Sequence, residues 1–290
     1  MRVTLLGTGC PIADIHRYGP ATLVEAGDER WLIDCGSGVS QRLLAHGANG
    51  ARLTGLLLTH LHSDHTADLI QLLISGWHQG RDEPLRIFGP KRTLSFVKDL
   101  LHAWQPEFEQ RLAWEMRSAD GLQVDVQEIG NHWTLETPNL RITNTEVRHH
   151  PIPQAFGFRF DMLGSSAVIS GDTAYSPELI KLAKGADLLV HEAFVHHAYG
   201  AARQDRNPKQ RGNVAAYHTS TDEVGKVAKK AGVRHLALTH FVPTIFDREQ
   251  VMRDVGADYS GGFSIGEDLM CFDVEKKRVS LLRSGVRGHL

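Results

Sequence analysis

At 290 residues, 41% hydrophobic and 23% charged, the chain has the balance of an ordinary globular protein, which excludes disordered and fibrous classes. Lys plus Arg (32) and Asp plus Glu (34) nearly cancel to a formal charge of -2, so no overall field draws in polyanions or anionic membranes. No segment approaches the ~20 apolar residues of a membrane helix, and MRVTLLGTGC has no apolar stretch of signal-peptide length, which predicts a soluble, cytoplasmic protein.

Val3 to Leu6 is a β-prone run that stops at Gly7-Thr8-Gly9, read as a tight turn rather than a nucleotide loop because no GxGxxG and no helix follow. Ala21 to Glu25 and Arg30 to Asp34 are two more strands around the turn Ala26-Gly27-Asp28. Residues 38 to 46 have helical periodicity, and Leu56 to Thr59 reads as a buried strand. Ala67 to Ser75 is a helix with Leu69, Leu72 and Leu73 on one face. Leu85 to Phe88 is a strand and Lys91 to Trp104 an amphipathic helix. Strands return at Val124 to Ile129, Leu140 to Val147, Phe156 to Phe160 and Ala167 to Ser170. Ser176 caps a helix reaching Lys184, with Pro177 at its first position. Leu188 to Val190 is a strand, and the polar, basic stretch 200 to 213 reads as a loop. Thr221 to Ala231 is a helix, and His235 to Thr239, Leu269 to Val274 and Arg278 to Leu282 are strands. Two strand-rich stretches, each followed by helices, predict an α/β fold: a four-layer αββα sandwich of two packed sheets with helices outside, as one domain over 1–290.

Cys10, Cys35 and Cys271 are odd in number and scattered, with no CxxC spacing or disulfide pattern, which suits a reducing compartment. The 17 histidines are an unusually high number for a chain of this size and are its one compositional oddity. His60-Leu61-His62-Ser63-Asp64-His65 packs four candidate ligands into six residues directly after a buried strand. Imidazole and carboxylate are ligands that Zn²⁺ favours. Side chains at i and i+2 of an extended segment share a face, so His60 and His62 can chelate one ion while Asp64 and His65 turn toward another. A His-rich surface loop is the bland alternative, but it would set ionisable groups beside a core strand without compensation.

The HxHxDH of His60 to His65 resembles the signature of the metallo-β-lactamase fold. In the same order, Met1 to Asp34 resembles that superfamily's opening meander, His149-His150-Pro151 its third-motif histidine, Gly171-Asp172-Thr173 its fourth-motif aspartate and Leu238-Thr239-His240-Phe241 its last histidine. His191-Glu192-Ala193 and His218-Thr219-Ser220 are similar to extra motifs of the ribonuclease Z and arylsulfatase-like branch. The resemblance implies two Zn²⁺ ions, with Mn²⁺ or Fe²⁺ admitted by the same ligands. His60, His62 and His149 would hold one ion and Asp64, His65 and His240 the other, with Asp172 bridging. The neighbouring pair His149 and His150 leaves the third-motif ligand open by one residue; counting back from Ala155-Phe156 favours His149. The implied reaction is hydrolysis by a shared, acidified water, with Asp64 orienting it. His218 would assist the leaving group and Glu192 would fix the tautomer of that ring.

Isolated histidines (His16, His46, His102, His132, His289) read as surface or packing residues. His78, His196 and His197 are optional pocket residues, and Cys35 is a buried one with a minor site role open. Trp77, Phe156, Phe194 and Phe246 lie near motifs but read first as core. Ribonuclease Z enzymes carry a protruding RNA-gripping arm between the third and fourth motifs, whereas Phe160 to Ser166 crosses that interval as a simple hairpin. That and the charge balance favour a small-molecule ester, a phosphodiester or aryl sulfate, over transfer RNA 3' processing. Arg203 to Arg211 is read as a solvated loop before an RNA clamp. A lactonase or aryl dehalogenase on the same dizinc site is a further alternative. A non-catalytic metal-binding scaffold is the weakest reading. The resemblance leaves a homodimer open, and the charge balance with the lack of a long apolar segment predicts no membrane partner.

Overall fold

The computed structural model describes residues 1–281; the predicted strand end Leu282 and His289 lie outside them. β1 (Arg2–Gly7), β2 (Ala21–Ala26) and β3 (Glu29–Ile33) form an antiparallel meander. Helix α1 (Val39–His46) leads to β4 (Gly55–Leu57), α2 (Leu69–His78) to β5 (Leu85–Gly89), and α3 (Thr93–Ala103) with α4 (Gln105–Glu115) to β6 (Val124–Glu128). Strands β3 to β6 pair in parallel. The chain then crosses to a second sheet through β7 (Thr134–Glu136), β8 (Arg141–Glu146), β9 (Phe156–Met162) and β10 (Ser165–Ile169), all antiparallel. It continues through α5 (Pro177–Leu182), β11 (Leu188–Phe194), α6 (His196–Ala202), α7 (Pro208–Ala215), α8 (Thr221–Ala231), β12 (His235–Val242), α9 (Arg248–Asp258) and β13 (Gly262–Ile265), with β10 to β13 parallel. Finally β14 (Met270–Asp273) and β15 (Arg278–Leu281) return to the first sheet beside β1. The strand orders are 15-14-1-2-3-4-5-6 and 13-12-11-10-9-8-7.

Alternation along the strands creates the four layers. In β3, Trp31 and Ile33 face the other sheet, where they join Phe156, Phe158, Phe160, Ile169 and Val190, while Leu32 faces outward to Leu43, Leu72 and Leu73 of α1 and α2. In the second sheet Leu189 and Leu236 turn outward to Leu179, Val224, Val227 and Val251 of α5, α8 and α9. The αββα sandwich is therefore present as the apolar patterning predicts.

Several elements differ from expectation. The stretch 200 to 213 is a loop only over 203–207: it also holds the end of α6 and the first six residues of α7, which begins with a capping box in which Asn207 and Gln210 satisfy each other's backbone N–H. Pro208 stands at the first helical position. Neither helix shows an apolar period because neither buries a full face in the core. Helices α4 and α9 and the edge strands β7 and β13 went unanticipated. Strand β12 extends three residues past Thr239 to Val242.

Candidate metal centre

The site collects at one edge of the sandwich, outside the carboxyl ends of strands, where loops of α/β sheets gather ligands. His60 to His65 leaves β4 and closes in a short 3-10 turn, Ser63–His65. His149 follows β8 and Asp172 follows β10. Gly171 adopts φ 59°, and a Cβ there would lie 2.6 Å from the Phe156 carbonyl oxygen, so only glycine makes this turn without strain. His240 sits inside β12 at a bulge: pairing with β11 runs Glu192 to Thr239, then Ala193 to Phe241, leaving His240 as the extra residue at φ 46°. The bulge re-aims its side chain out of the ladder and into the cluster.

Seven of the predicted ligand positions converge. His62 Nδ1 lies 2.9 Å from His60 Nε2 and 3.1 Å from His149 Nε2. Asp172 Oδ2 is 4.0 Å from His60 Nε2, 3.8 Å from His149 Nε2 and 3.3 Å from His240 Nε2, and its Oδ1 is 3.3 Å from His65 Nε2. Asp64 Oδ2 is 3.2 Å from His240 Nε2 and 3.7 Å from His65 Nε2. Two ligand groups result, His60-His62-His149-Asp172 and Asp64-His65-His240, with Asp172 facing both. Tetrahedral zinc with ligands at 2.0 to 2.1 Å separates them by about 3.4 Å, close to these spacings. His65 Nε2 and Asp172 Oδ1 are buried and make no hydrogen bond, a state that a cation between them relieves. His150 is exposed while His149 is buried in the cluster, an arrangement that favours His149 of the neighbouring pair.

Electrostatics in the cluster fit a cation. Burial, reinforced by the positive charge of His65, holds His60 well below the usual imidazole range, so its ring is a neutral donor. Burial also lowers His62 and His149. Burial alone would raise Asp172, but His240 and His65 outweigh it and keep the carboxylate well below its ordinary range. Burial likewise opposes charge on His240, yet Asp172 and the Asp64 carboxylate raise it to about 9. The carboxylates around His65 and His240 thus favour positive charge at that side of the cluster, which a divalent cation would supply in place of protons.

A supporting shell holds the rings. His65 Nδ1–H donates to Asp34 Oδ2 at 2.8 Å, and Asp34 also accepts from Thr59 N at 2.8 Å and from Thr59 Oγ1 at 2.8 Å. His149 Nδ1–H donates to the Tyr217 carbonyl at 3.0 Å. Both bonds leave Nε2 as the free lone pair, which is the usual work of groups behind metal ligands. Asp34 carried no role in the sequence reading; its place at the end of a strand, in Asp34-Cys35-Gly36, was the available signal. Cys35 itself is wholly buried and packs with the outer core.

Next to the cluster, Glu192 Oε2 lies 2.8 Å from His218 Nδ1, and its Oε1 accepts from Thr173 N at 2.6 Å. Burial, with the charge of Asp172 behind it, pushes Glu192 well above the carboxylate range, and burial pushes His218 down to about 4. Both directions favour a neutral pair that shares a proton across the Glu192–His218 contact. Phe194 stacks parallel to the His218 ring at 6.0 Å. A cavity of about 220 Å³ opens above, floored by His62, Asp64, Asp172, His218 and His240. Its walls include Tyr199, Arg203, Arg206 and Tyr217, so the basic segment expected as a solvated loop reaches the site. Trp77 and Phe156 are core, and Phe246 packs on Phe241. His78, His196 and His197 do not line this cavity.

A family model described as "Beta-lactamase superfamily domain" matches residues 29–241. A protein named Ribonuclease Z from Mycobacterium bovis (strain BCG / Pasteur 1173P2) is 37% identical over 289 residues, covering 96% of this chain and 100% of the relative. Another of that name from Mycolicibacterium gilvum (strain PYR-GCK) is 39% identical, covering 93% of this chain and 94% of the relative. Among solved structures, the fold is similar to the metallo-beta-lactamase fold protein YhfI from Bacillus subtilis (TM-score 0.72, 21% identity, 93% and 98% of the two chains). It is also similar to the short form of human tRNase Z (TM-score 0.68, 22% identity, 94% and 99% of the two chains). The chain therefore belongs to the metallo-β-lactamase superfamily, among the proteins named ribonuclease Z, and is a metal-dependent hydrolase.

Proposed function

We propose that the protein is a phosphodiesterase that cuts RNA in the manner of a ribonuclease Z, with transfer RNA precursors as substrate. The full-length match to proteins of that name carries this reading, and it reverses the preference for a small-molecule ester drawn from the missing arm and the charge balance. His60, His62, His149 and Asp172 would hold one divalent ion, and Asp64, His65, His240 and Asp172 the other, zinc being the choice that suits these ligands. Such ions supply Lewis acidity toward a phosphoryl oxygen and acidify a water.

The chain's own groups do the remaining work. Asp64, on the cavity floor, orients the attacking water through its carboxylate. His218 points Nε2–H toward the space where the leaving oxygen develops charge, and it delivers that proton as the bond breaks. Glu192 then moves the shared proton toward Nδ1, so the ring never becomes an anion, and Phe194 holds its plane. Exclusion of water from this buried pair keeps the proton where it is needed.

A second reading, a small phosphodiester, is favoured by one observation. Strands β9 and β10 are joined by the two-residue turn Leu163-Gly164, so no arm stands between His149 and Asp172 to grip a large RNA. The deciding assay offers metal-loaded protein a 3'-extended transfer RNA precursor, a bis-aryl phosphate, an aryl sulfate and a lactone. Endonucleolytic release of the 3' trailer, steeply reduced by salt, is expected. Intact RNA beside rapid turnover of a small ester overturns the RNA assignment.

A further inference from the structure

Outside the centre just described, one further group of metal-ligating side chains stands together among the described residues: His196, His197 and Asp254 bring one ligand atom each within 4.8 Å of the others. His196 and His197 are the first two residues of α6, and Asp254 belongs to α9. His197 Nδ1 lies 3.5 Å from Asp254 Oδ2. The two imidazoles stand at 83° to one another with ring centroids 4.8 Å apart. Asp254 is fixed before anything binds: its Oδ2 accepts from Thr221 Oγ1 at 2.6 Å and its Oδ1 from Gln250 Nε2 at 2.8 Å. Asp222 stands behind His196, with Oδ1 3.6 Å from Nδ1.

We propose that His196, His197 and Asp254 form a separate surface site for a divalent transition ion such as Zn²⁺, Ni²⁺ or Cu²⁺. Two imidazoles and one carboxylate are the donor set these ions favour over Mg²⁺ or Ca²⁺. The exposed rings swing by rotation about their side-chain torsions to close the separations to bonding distance, while the anchored carboxylate stays in place. Water completes the coordination, so the site binds without burying charge and is far weaker than the enclosed centre.

Its position gives the site a consequence. Two residues before His196, Phe194 stacks on His218, and three residues after it Tyr199 begins the wall of the catalytic cavity that Arg203 and Arg206 continue. An ion bridging α6 to α9 ties the first turn of this wall to the helices behind the second sheet. Occupancy stiffens the wall and changes substrate affinity more than the chemical step.

The experiment uses the metal-loaded protein after removal of free metal. Titration with Zn²⁺ in a calorimeter is expected to show one further equivalent with micromolar affinity. His197→Gln weakens it at least about tenfold, and the double variant His196→Gln, His197→Gln abolishes it, with the tightly held metal content unchanged by elemental analysis. Bound Cu²⁺, used as a probe, shows nitrogen hyperfine splitting in the parent and loses it in the double variant. No further equivalent in the parent, or undiminished binding in the double variant, overturns the proposal. Both rings are solvent-facing, so the glutamine variants fold, and these readouts are independent of any catalysed reaction.

Discussion

Changing Asp34 to Asn puts the supporting shell to a direct test. The carboxylate takes three donors, Thr59 N, Thr59 Oγ1 and His65 Nδ1, each at 2.8 Å. Asparagine keeps the shape but turns one arm into an NH₂ donor. With its carbonyl on Thr59, the amide faces His65 Nδ1, which must then accept. The ring proton moves to Nε2, the atom 3.3 Å from Asp172 Oδ1, and a protonated nitrogen has no lone pair for a metal. Lesions behind metal ligands cost roughly 10- to 100-fold in affinity, or about 1.4 to 2.7 kcal/mol, and a forced tautomer places this one at the upper end. Chelator competition followed by elemental analysis is the assay. Asp34→Asn is expected to lose one metal equivalent at a chelator concentration where the parent keeps two, while the His60-His62-His149 side stays loaded. Equal retention of both ions would refute the tautomer argument, and loss of both would show that the shell acts on the whole centre.

Three other outcomes follow from the same geometry. His218→Ala is expected to keep its metal and lose about 10²- to 10⁴-fold in turnover, most for poor leaving groups, as read by rates across a series of aryl phosphodiesters; a uniform loss counts against proton donation. His191 is wholly buried in β11, and burial pushes it down to about 4. The unfolded chain therefore binds the extra proton as pH falls from about 6.5 toward 4, and native stability declines across that window by up to about 3 kcal/mol. Denaturant titrations of the metal-free protein at pH 7, 5.5 and 4.5 should show a shallower decline for His191→Leu. Gly171→Ala forces a Cβ within 2.6 Å of the Phe156 carbonyl oxygen at φ 59°; a stability loss of at least about 1 to 2 kcal/mol and weakened metal retention are expected by denaturation and elemental analysis.

What could be read in advance depended on whether partners are close in sequence. His60, His62, Asp64 and His65 fall within one loop, so their spacing alone suggested shared ions. Asp34 and Thr59 are 25 positions apart and meet because β3 and β4 pair in parallel, a register that periodicity does not give. His240 was legible as a residue, but the bulge that aims it was not, since the shift exists only against β11. Ser176, Pro177 and Glu178 marked the start of α5 because a cap is a local signal. The same kind of signal stands at Asn207, Pro208 and Gln210, but the reading of 200–213 rested on its polar character and lack of an apolar period, and α7 was missed. Substrate size was the least legible quantity: the hairpin at Leu163-Gly164 argues from what a surface lacks, whereas whole-chain relatedness argues from what is shared.

The separation of the ligands along the chain carries a consequence for biogenesis. Asp64 and His240 stand 176 positions apart, one leaving the first sheet and the other the second. A nascent amino-terminal half can offer only His60, His62, Asp64 and His65, and both groups stay incomplete until β10 and β12 have docked. A metal centre built from these residues would therefore be completed late in maturation, after most of the chain has been made, unlike small zinc modules that the ion itself folds.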